Sequence, residues 1–283
     1  MPPEYEYLFN INTDLIISHF GNDFATKARK RELTKEDSLE ANKVLSELLY
    51  PTEVINLLKN GCFSDVTALS LKNTYEITSN VPNNITQLIM KGAGLILVRP
   101  EMVHAYKLVE GFLSERGFEI KASIEKKIDF NHYWAIYNDG LINPNSFLDF
   151  PTRTLIYTSG YCRLIIFTDP KNRYRSNMMD EFCRLFKGKE GVIQEGTIRG
   201  DIVLKELIKI GVGDSLNKDL EFALDPIGIY RHIVDADIPS DGIHNRRDYP
   251  FLHYVGAGVH IPDSDETSLN FKVLLDGKEN IIL

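Results

Sequence analysis

The residues best suited to chemistry lie at 194–201, where Gln-Glu-Gly-Thr-Ile-Arg-Gly-Asp sets a guanidinium between two glycines and near a threonine hydroxyl. That combination suits an anion. Gly196 and Gly200 let backbone N–H groups approach a ligand closely, Thr197 adds a hydroxyl, and Arg199 offers a planar fork of donors matched to phosphate oxygens. An ordinary turn could carry the same residues, so their meaning rests on what surrounds them. Three other short patterns carry less. Gly92-Ala93-Gly94 precedes an apolar run and lacks the third glycine of a dinucleotide fingerprint, so it reads as a linker. Thr158-Ser159-Gly160 lacks the flanks of a nucleophile elbow, and Arg-Gly-Asp at 199–201 is a poor adhesion signal in a chain with the composition described next.

The chain has 283 residues, 43% apolar and 25% charged, enough to bury a substantial core. Its net charge of -8 leaves no basic excess for engaging nucleic acid or an anionic membrane at long range, although a local basic pocket is compatible with it. Cys62, Cys162 and Cys183 show no paired spacing and suit a reducing compartment, so a cytoplasmic protein is expected. The N-terminal residues are acidic and proline-bearing, and no apolar run approaches the roughly 20 residues needed to span a bilayer.

The elements that must position the loop follow from periodicity. Residues 4–18 alternate weakly, as one or two strands would. Thr34 and Asp37 form a capping-box pattern ahead of helically spaced Leu39, Val44, Leu45, Leu48 and Leu49, and Pro51 ends that helix. A second short helix carries Val54, Ile55, Leu57 and Leu58 and closes at Asn60-Gly61. A boundary is placed near residue 90, with 1–90 as a partly helical extension offering packing, oligomer or partner contacts. Leu95-Ile96-Leu97-Val98 reads as a strand buried on both faces. Residues 101–116 form a helix, 118–124 a strand, 129–137 a short helix, 163–168 a strand, 172–187 a helix and 254–260 a last strand. That order points to an α+β fold with a ferredoxin-like βαββαβ sheet and helices on one face.

Along this unit the chain resembles the nucleoside diphosphate kinase family. Leu-Ile-Leu-Val-Arg-Pro-Glu at 95–101 is similar to that family's first strand, 119–126 to its second, and Asn131-His132-Tyr133 to its helical His-Tyr pair. Thr158-Ser159-Gly160 matches its Thr-Ser-Gly. Gly196-Thr197-Ile198-Arg199-Gly200-Asp201 is the strongest identity, and Val259-His260 with Asp263-Ser264 resembles the segment holding the family's phosphorylated histidine. These pieces occur in the family's order and cover well under half of the chain.

The resemblance implies a ping-pong phosphotransferase in which His260 takes the γ-phosphoryl of a nucleoside triphosphate and gives it to a diphosphate. Arg184 and Arg199 would clamp phosphates, Thr197 would line the cradle, Tyr133 would stand close to the phosphohistidine, and magnesium (Mg2+) would bridge phosphate oxygens. The departures concern the sugar side. Arg99 stands for the family's lysine and Ala257 for its asparagine, both sugar-binding, while Pro262 replaces a serine and Glu190 falls about where a threonine holds phosphate. The glutamate that orients the family's histidine would fall near Phe271, with Asp263, Asp265 or Glu266 as accessory carboxylates.

Two insertions, at about 138–154 and 202–253, interrupt the family pattern, so the usual hexamer is not carried over, though a homo-oligomer is compatible. The second contains His232, Asp235, Asp237, His244, Arg246 and Arg247. Three readings stand: a metal site whose spacing follows no fixed pattern, a polar cap with Arg246 and Arg247 on nucleotide phosphates, or an oligomer contact or surface elaboration. With the sugar ligands changed, nucleotidyl transfer to make a modified or signalling nucleotide, or non-catalytic nucleotide sensing, are the alternatives to γ-phosphoryl transfer.

Overall fold

In the computed structural model, residues 18–24, 27, 34–79, 92–137, 154, 157–158, 160–171, 173, 179, 182, 195–203, 205–206 and 258–275 are described. The apolar run becomes strand β1 (Ala93–Val98), buried at every position. Ala93 and Gly94 therefore belong to the strand and not to a linker. The reason is steric: the ring of Phe167 stands where a Cβ on Gly94 would sit, so only glycine fits at that point.

Three further strands complete one sheet: β2 (Glu119–Lys127), β3 (Tyr161–Thr168) and β4 (Val259–His260). The order is β2-β3-β1-β4 and each neighbouring pair is antiparallel. β1 runs beside β3 from Ala93 opposite Thr168 to Val98 opposite Arg163, and its other edge takes β4, with Leu97 opposite His260. β2 pairs with the outer edge of β3 with one irregularity between Ile120 and Ala122.

The helices are α1 (Lys35–Leu49), α2 (Thr52–Lys59), α3 (Phe63–Thr78), α4 (Tyr106–Glu115), α5 (Phe130–Ile136) and α6 (Ser264–Leu274), with a 3-10 turn at Pro100–Ala105 leading into α4. α1 opens on the expected capping box: Thr34 Oγ1 accepts from the Asp37 N–H at 3.1 Å, and Asp37 Oδ2 accepts from the Thr34 N–H at 3.0 Å. Gly61, with φ +70°, closes α2. The expected strand pattern at 4–18 lies outside the described residues except for Ser18, which is helical.

Side chains along β1 and β3 alternate, and both sides are apolar. Leu95, Leu97, Leu164 and Ile166 share a core with Val54 and Ile55 of α2, Val66 of α3, Tyr133 to Ile136 of α5 and Phe271 of α6. Ile96, Val98, Ile165 and Phe167 pack instead with Val109, Phe112 and Leu113 of α4 and with Phe182, Ile198 and Val203. Helices thus cover both faces of the sheet, not one face as expected. A sheet apolar on both sides needs a cover on each, and the N-terminal helices supply part of the first. The architecture is α+β, with a four-stranded antiparallel sheet between two helical layers. Among the described residues no helix is long and apolar enough to cross a membrane.

Candidate active site

His260 stands at the end of β4, 7% exposed, opposite Leu97 and on the same side of the sheet. Beyond Val98 the main chain continues the pairing: the Arg99 N–H donates to the Gly258 carbonyl at 2.9 Å. Arg99 is 3% exposed and lays its guanidinium over the Tyr157 ring, 4.8 Å from the centroid. A buried cation and a buried imidazole are therefore set on one side of the sheet by adjacent strand ends.

Helix α5 brings the phenols. Its start is set by Asp129, whose carboxylate accepts from the His132 N–H at 2.9 Å and from His132 Nδ1 at 2.7 Å, with Lys126 Nζ 3.4 Å from the other ring nitrogen. Hydrogen bonding from His132, outweighing partial burial, holds the Asp129 carboxyl down at about 2. Tyr133 and Tyr137, four residues apart, share the inner side of this helix and its end, their ring centroids 4.9 Å apart. Tyr157 lies 4.9 Å from Tyr133 and 5.7 Å from Tyr137 by the same measure. The Tyr137 and His260 rings meet at an interplanar angle of 63°, 5.0 Å between ring centres.

Within this cluster the hydrogen bonds have a defined direction. The Glu266 carbonyl can only accept, so the Asn270 atom 2.9 Å from it is the amide nitrogen. Asn270 Oδ1 then faces His260 Nε2 at 2.9 Å, and Nε2 of the neutral ring carries the proton. Nδ1 is left with its lone pair, into which the Tyr137 hydroxyl donates at 2.6 Å. Tyr137 in turn accepts from Tyr157, 2.8 Å away. Burial pushes the Tyr137 phenol well above the ordinary tyrosine range; Tyr157 and Tyr133 add to this and Arg99 opposes it. The phenol therefore holds its proton at neutral pH and is a donor.

The Gly-Thr-Ile-Arg-Gly-Asp segment is a closed turn. Gly196 takes φ +84°, its N–H donates to Asp201 Oδ1 at 3.0 Å, and Thr197 Oγ1 accepts from the Gly200 N–H at 3.1 Å. Arg116 braces the turn, donating to the Gly196 carbonyl at 3.2 Å and standing 3.8 Å from Asp201. Thr197 and Asp201 thus shape the turn, while half-buried Arg199 opens a π-helical turn, Arg199–Val203. Ile198, Ile202 and Val203 anchor it in the second core. Val203 lies against Gly258, two residues before His260, and so ties the turn to the strand that carries the imidazole. The start of the second insertion is also fixed here, since Glu206, 2% exposed, stands 3.3 Å from His104 of the 3-10 turn that follows Arg99.

The structure therefore gathers Arg99, Tyr133 and His260 in one cluster and attaches Thr197 and Arg199 to the same strand. Arg184, Arg246 and Arg247 lie outside the described residues, as do His232, Asp235, Asp237 and His244. Asp263 is the exposed residue capping α6, and Glu266 contributes its carbonyl. The group that orients His260 is Asn270, in place of the accessory carboxylates; Phe271, at the position expected for a glutamate, is a core residue. Tyr137, Tyr157 and Asn270 were not among the expected site residues. The spacing of Tyr137 from Tyr133 is the one sequence signal that points to it.

Among the described residues no three His, Cys, Asp or Glu side chains are grouped as a protein metal cage would require. Compared with family models, with curated proteins and with solved structures, the chain matches none.

Proposed function

We propose that the chain is a nucleotide phosphotransferase of the nucleoside diphosphate kinase kind, with His260 as the covalent carrier. One observation carries this reading: His260 is buried with Nε2 2.9 Å from Asn270 Oδ1, so that in the neutral ring the Nδ1 lone pair is turned toward a cluster containing Arg99. A phosphohistidine enzyme needs that state, a neutral imidazole with one nitrogen protonated and anchored and the other available to attack phosphorus. The strand order β2-β3-β1-β4 is the one a ferredoxin-like sheet has, and it supports the same reading.

The chemistry follows from the residues. The Nδ1 lone pair attacks the γ-phosphorus of a nucleoside triphosphate, the bond to the bridging oxygen breaks, and its electron pair leaves on the diphosphate. No proton has to leave Nδ1. Nε2 keeps its proton, and Asn270 Oδ1 supports the positive charge that the ring gains. Arg99 and Arg199 supply cationic donors for phosphate oxygens. Magnesium fits as an ion that arrives with the nucleotide, since it commonly keeps several waters and uses phosphate oxygens with one or two carboxylates. Exposed Asp263, next to this end of β4, is a carboxylate suited to such an ion, which when bound neutralises phosphate charge.

Incubation with γ-labelled ATP and magnesium should leave an acid-labile label on the wild-type protein, transferable to an added nucleoside diphosphate and absent from His260→Ala. Wild type and His260→Ala that cannot be told apart would sink the proposal. Appearance of pyrophosphate or a new phosphodiester would redirect it to nucleotidyl transfer.

A further inference from the structure

The hydroxyl of Tyr137 occupies the place from which His260 must act. It lies 2.6 Å from Nδ1, the nitrogen left with a lone pair once Asn270 has claimed Nε2. The phenol is placed from two sides. Its backbone N–H caps α5 by donating to the Tyr133 carbonyl at 3.0 Å, and its oxygen accepts from Tyr157. The Tyr157 ring is itself fixed beneath the Arg99 guanidinium. A lone pair that accepts a hydrogen bond cannot at the same time form a bond to phosphorus.

We infer that Tyr137 is a positioning residue for His260: its hydroxyl, backed by Tyr157, keeps the Nδ1 lone pair aimed and covered, and must withdraw before the phosphoryl group can bind there. The inference rests on His260 being the phosphoryl carrier. Tyr137 and Asn270 act as a pair, one on each ring nitrogen, so that the imidazole neither rotates nor changes tautomer while it waits.

The test uses potassium phosphoramidate, a small phosphoryl donor that needs no nucleotide site. Nδ1 attacks its phosphorus, the P–N bond breaks, and ammonia leaves after taking up a proton from water. The full chain, Tyr137→Phe, Tyr157→Phe and His260→Ala are treated in parallel. Phosphorus NMR reads which nitrogen is modified first and how fast, and urea denaturation checks that each variant is folded. Tyr137→Phe keeps the ring packing and removes the donor, so phosphorylation at Nδ1 should speed up about fivefold, the factor that one ordinary hydrogen bond is worth. Tyr157→Phe should give a smaller acceleration, because it weakens the hold on Tyr137 without removing the donor. A folded Tyr137→Phe that reacts no faster than wild type, or not at all, overturns the inference, and so does first modification at Nε2 in the wild type. The two proposals fail separately. Faster phosphoramidate labelling of Tyr137→Phe with no labelling of any form by ATP would reject the nucleotide reaction alone. Labelling of His260 by ATP with equal phosphoramidate rates would reject the role of Tyr137 alone.

Discussion

Gly258 joins the two halves of the proposed site, and replacing it with alanine should be costly for reasons that can be separated. Its φ of +58° is left-handed, a conformation costing an alanine about 1–2 kcal/mol. A Cβ there would also lie 2.8 Å from both Cγ atoms of Val203 and 2.9 Å from Met102 Cγ. Val203 and Met102 are each 1% exposed, so neither can step aside without disturbing the core. Overpacking of that kind costs about 1–3 kcal/mol, giving a total of about 2–5 kcal/mol for Gly258→Ala. Gly61→Ala provides the internal standard. Its φ of +70° is equally left-handed, yet nothing lies within 4 Å of its would-be Cβ, so it carries the backbone cost alone. Urea denaturation of both variants, at unchanged slope, should place Gly258→Ala below Gly61→Ala by the packing contribution. The same change pushes the Arg199 turn away from β4, so His260 labelling should fall further than the loss of folded protein explains. Gly258→Ala no less stable than Gly61→Ala would refute the packing of Val203 on Gly258, and with it the link between turn and strand.

Asn270→Leu should destabilise the fold by about 1–3 kcal/mol in urea denaturation, because it removes the buried Oδ1 to which His260 Nε2–H donates. Nitrogen NMR of that variant should show His260 losing its single Nε2–H tautomer; an unchanged spectrum would contradict the assignment. Asp129 gives a pH signature: its carboxyl is depressed to about 2 in the folded chain from a usual 3.8, so the stability it contributes is complete above about pH 4 and is lost as pH falls toward 2. Melting curves of wild type and Asp129→Asn should therefore differ at pH 5 and converge near pH 2, and a constant difference across that range would count against the His132 cap.

Local rules account for the parts of this fold that were legible in the sequence. The capping box at Thr34, the short helix opened by Asp129 and the doubly buried β1 each depend on neighbours in the chain or on hydrophobicity alone. The covering of both sheet faces was not legible, because the pattern of β1 says that two covers are needed but not which helices supply them. α3 was not legible for a related reason: it opens without a side-chain cap and exposes Leu71 and Tyr75, so its apolar residues mark no single inward stripe. Of the residues proposed for the site, Arg99, Thr197, Arg199 and His260 are marked in the sequence by type and order. Tyr137 and Asn270 are not, because their meaning arises only when α5 and α6 place them on the two nitrogens of one imidazole. Tyr137 and His260 are 123 positions apart, a separation over which no spacing rule operates.

A structure with magnesium and a non-hydrolysable nucleoside triphosphate would show whether His260 Nδ1 receives phosphorus. The γ-phosphorus should lie about 3–3.5 Å from Nδ1, with Tyr137 swung off that nitrogen, Asn270 still on Nε2, and Arg99 or Arg199 on the phosphate oxygens. A triphosphate bound with its γ-phosphorus away from His260, or with the Tyr137 hydroxyl still seated on Nδ1, would contradict that role of His260.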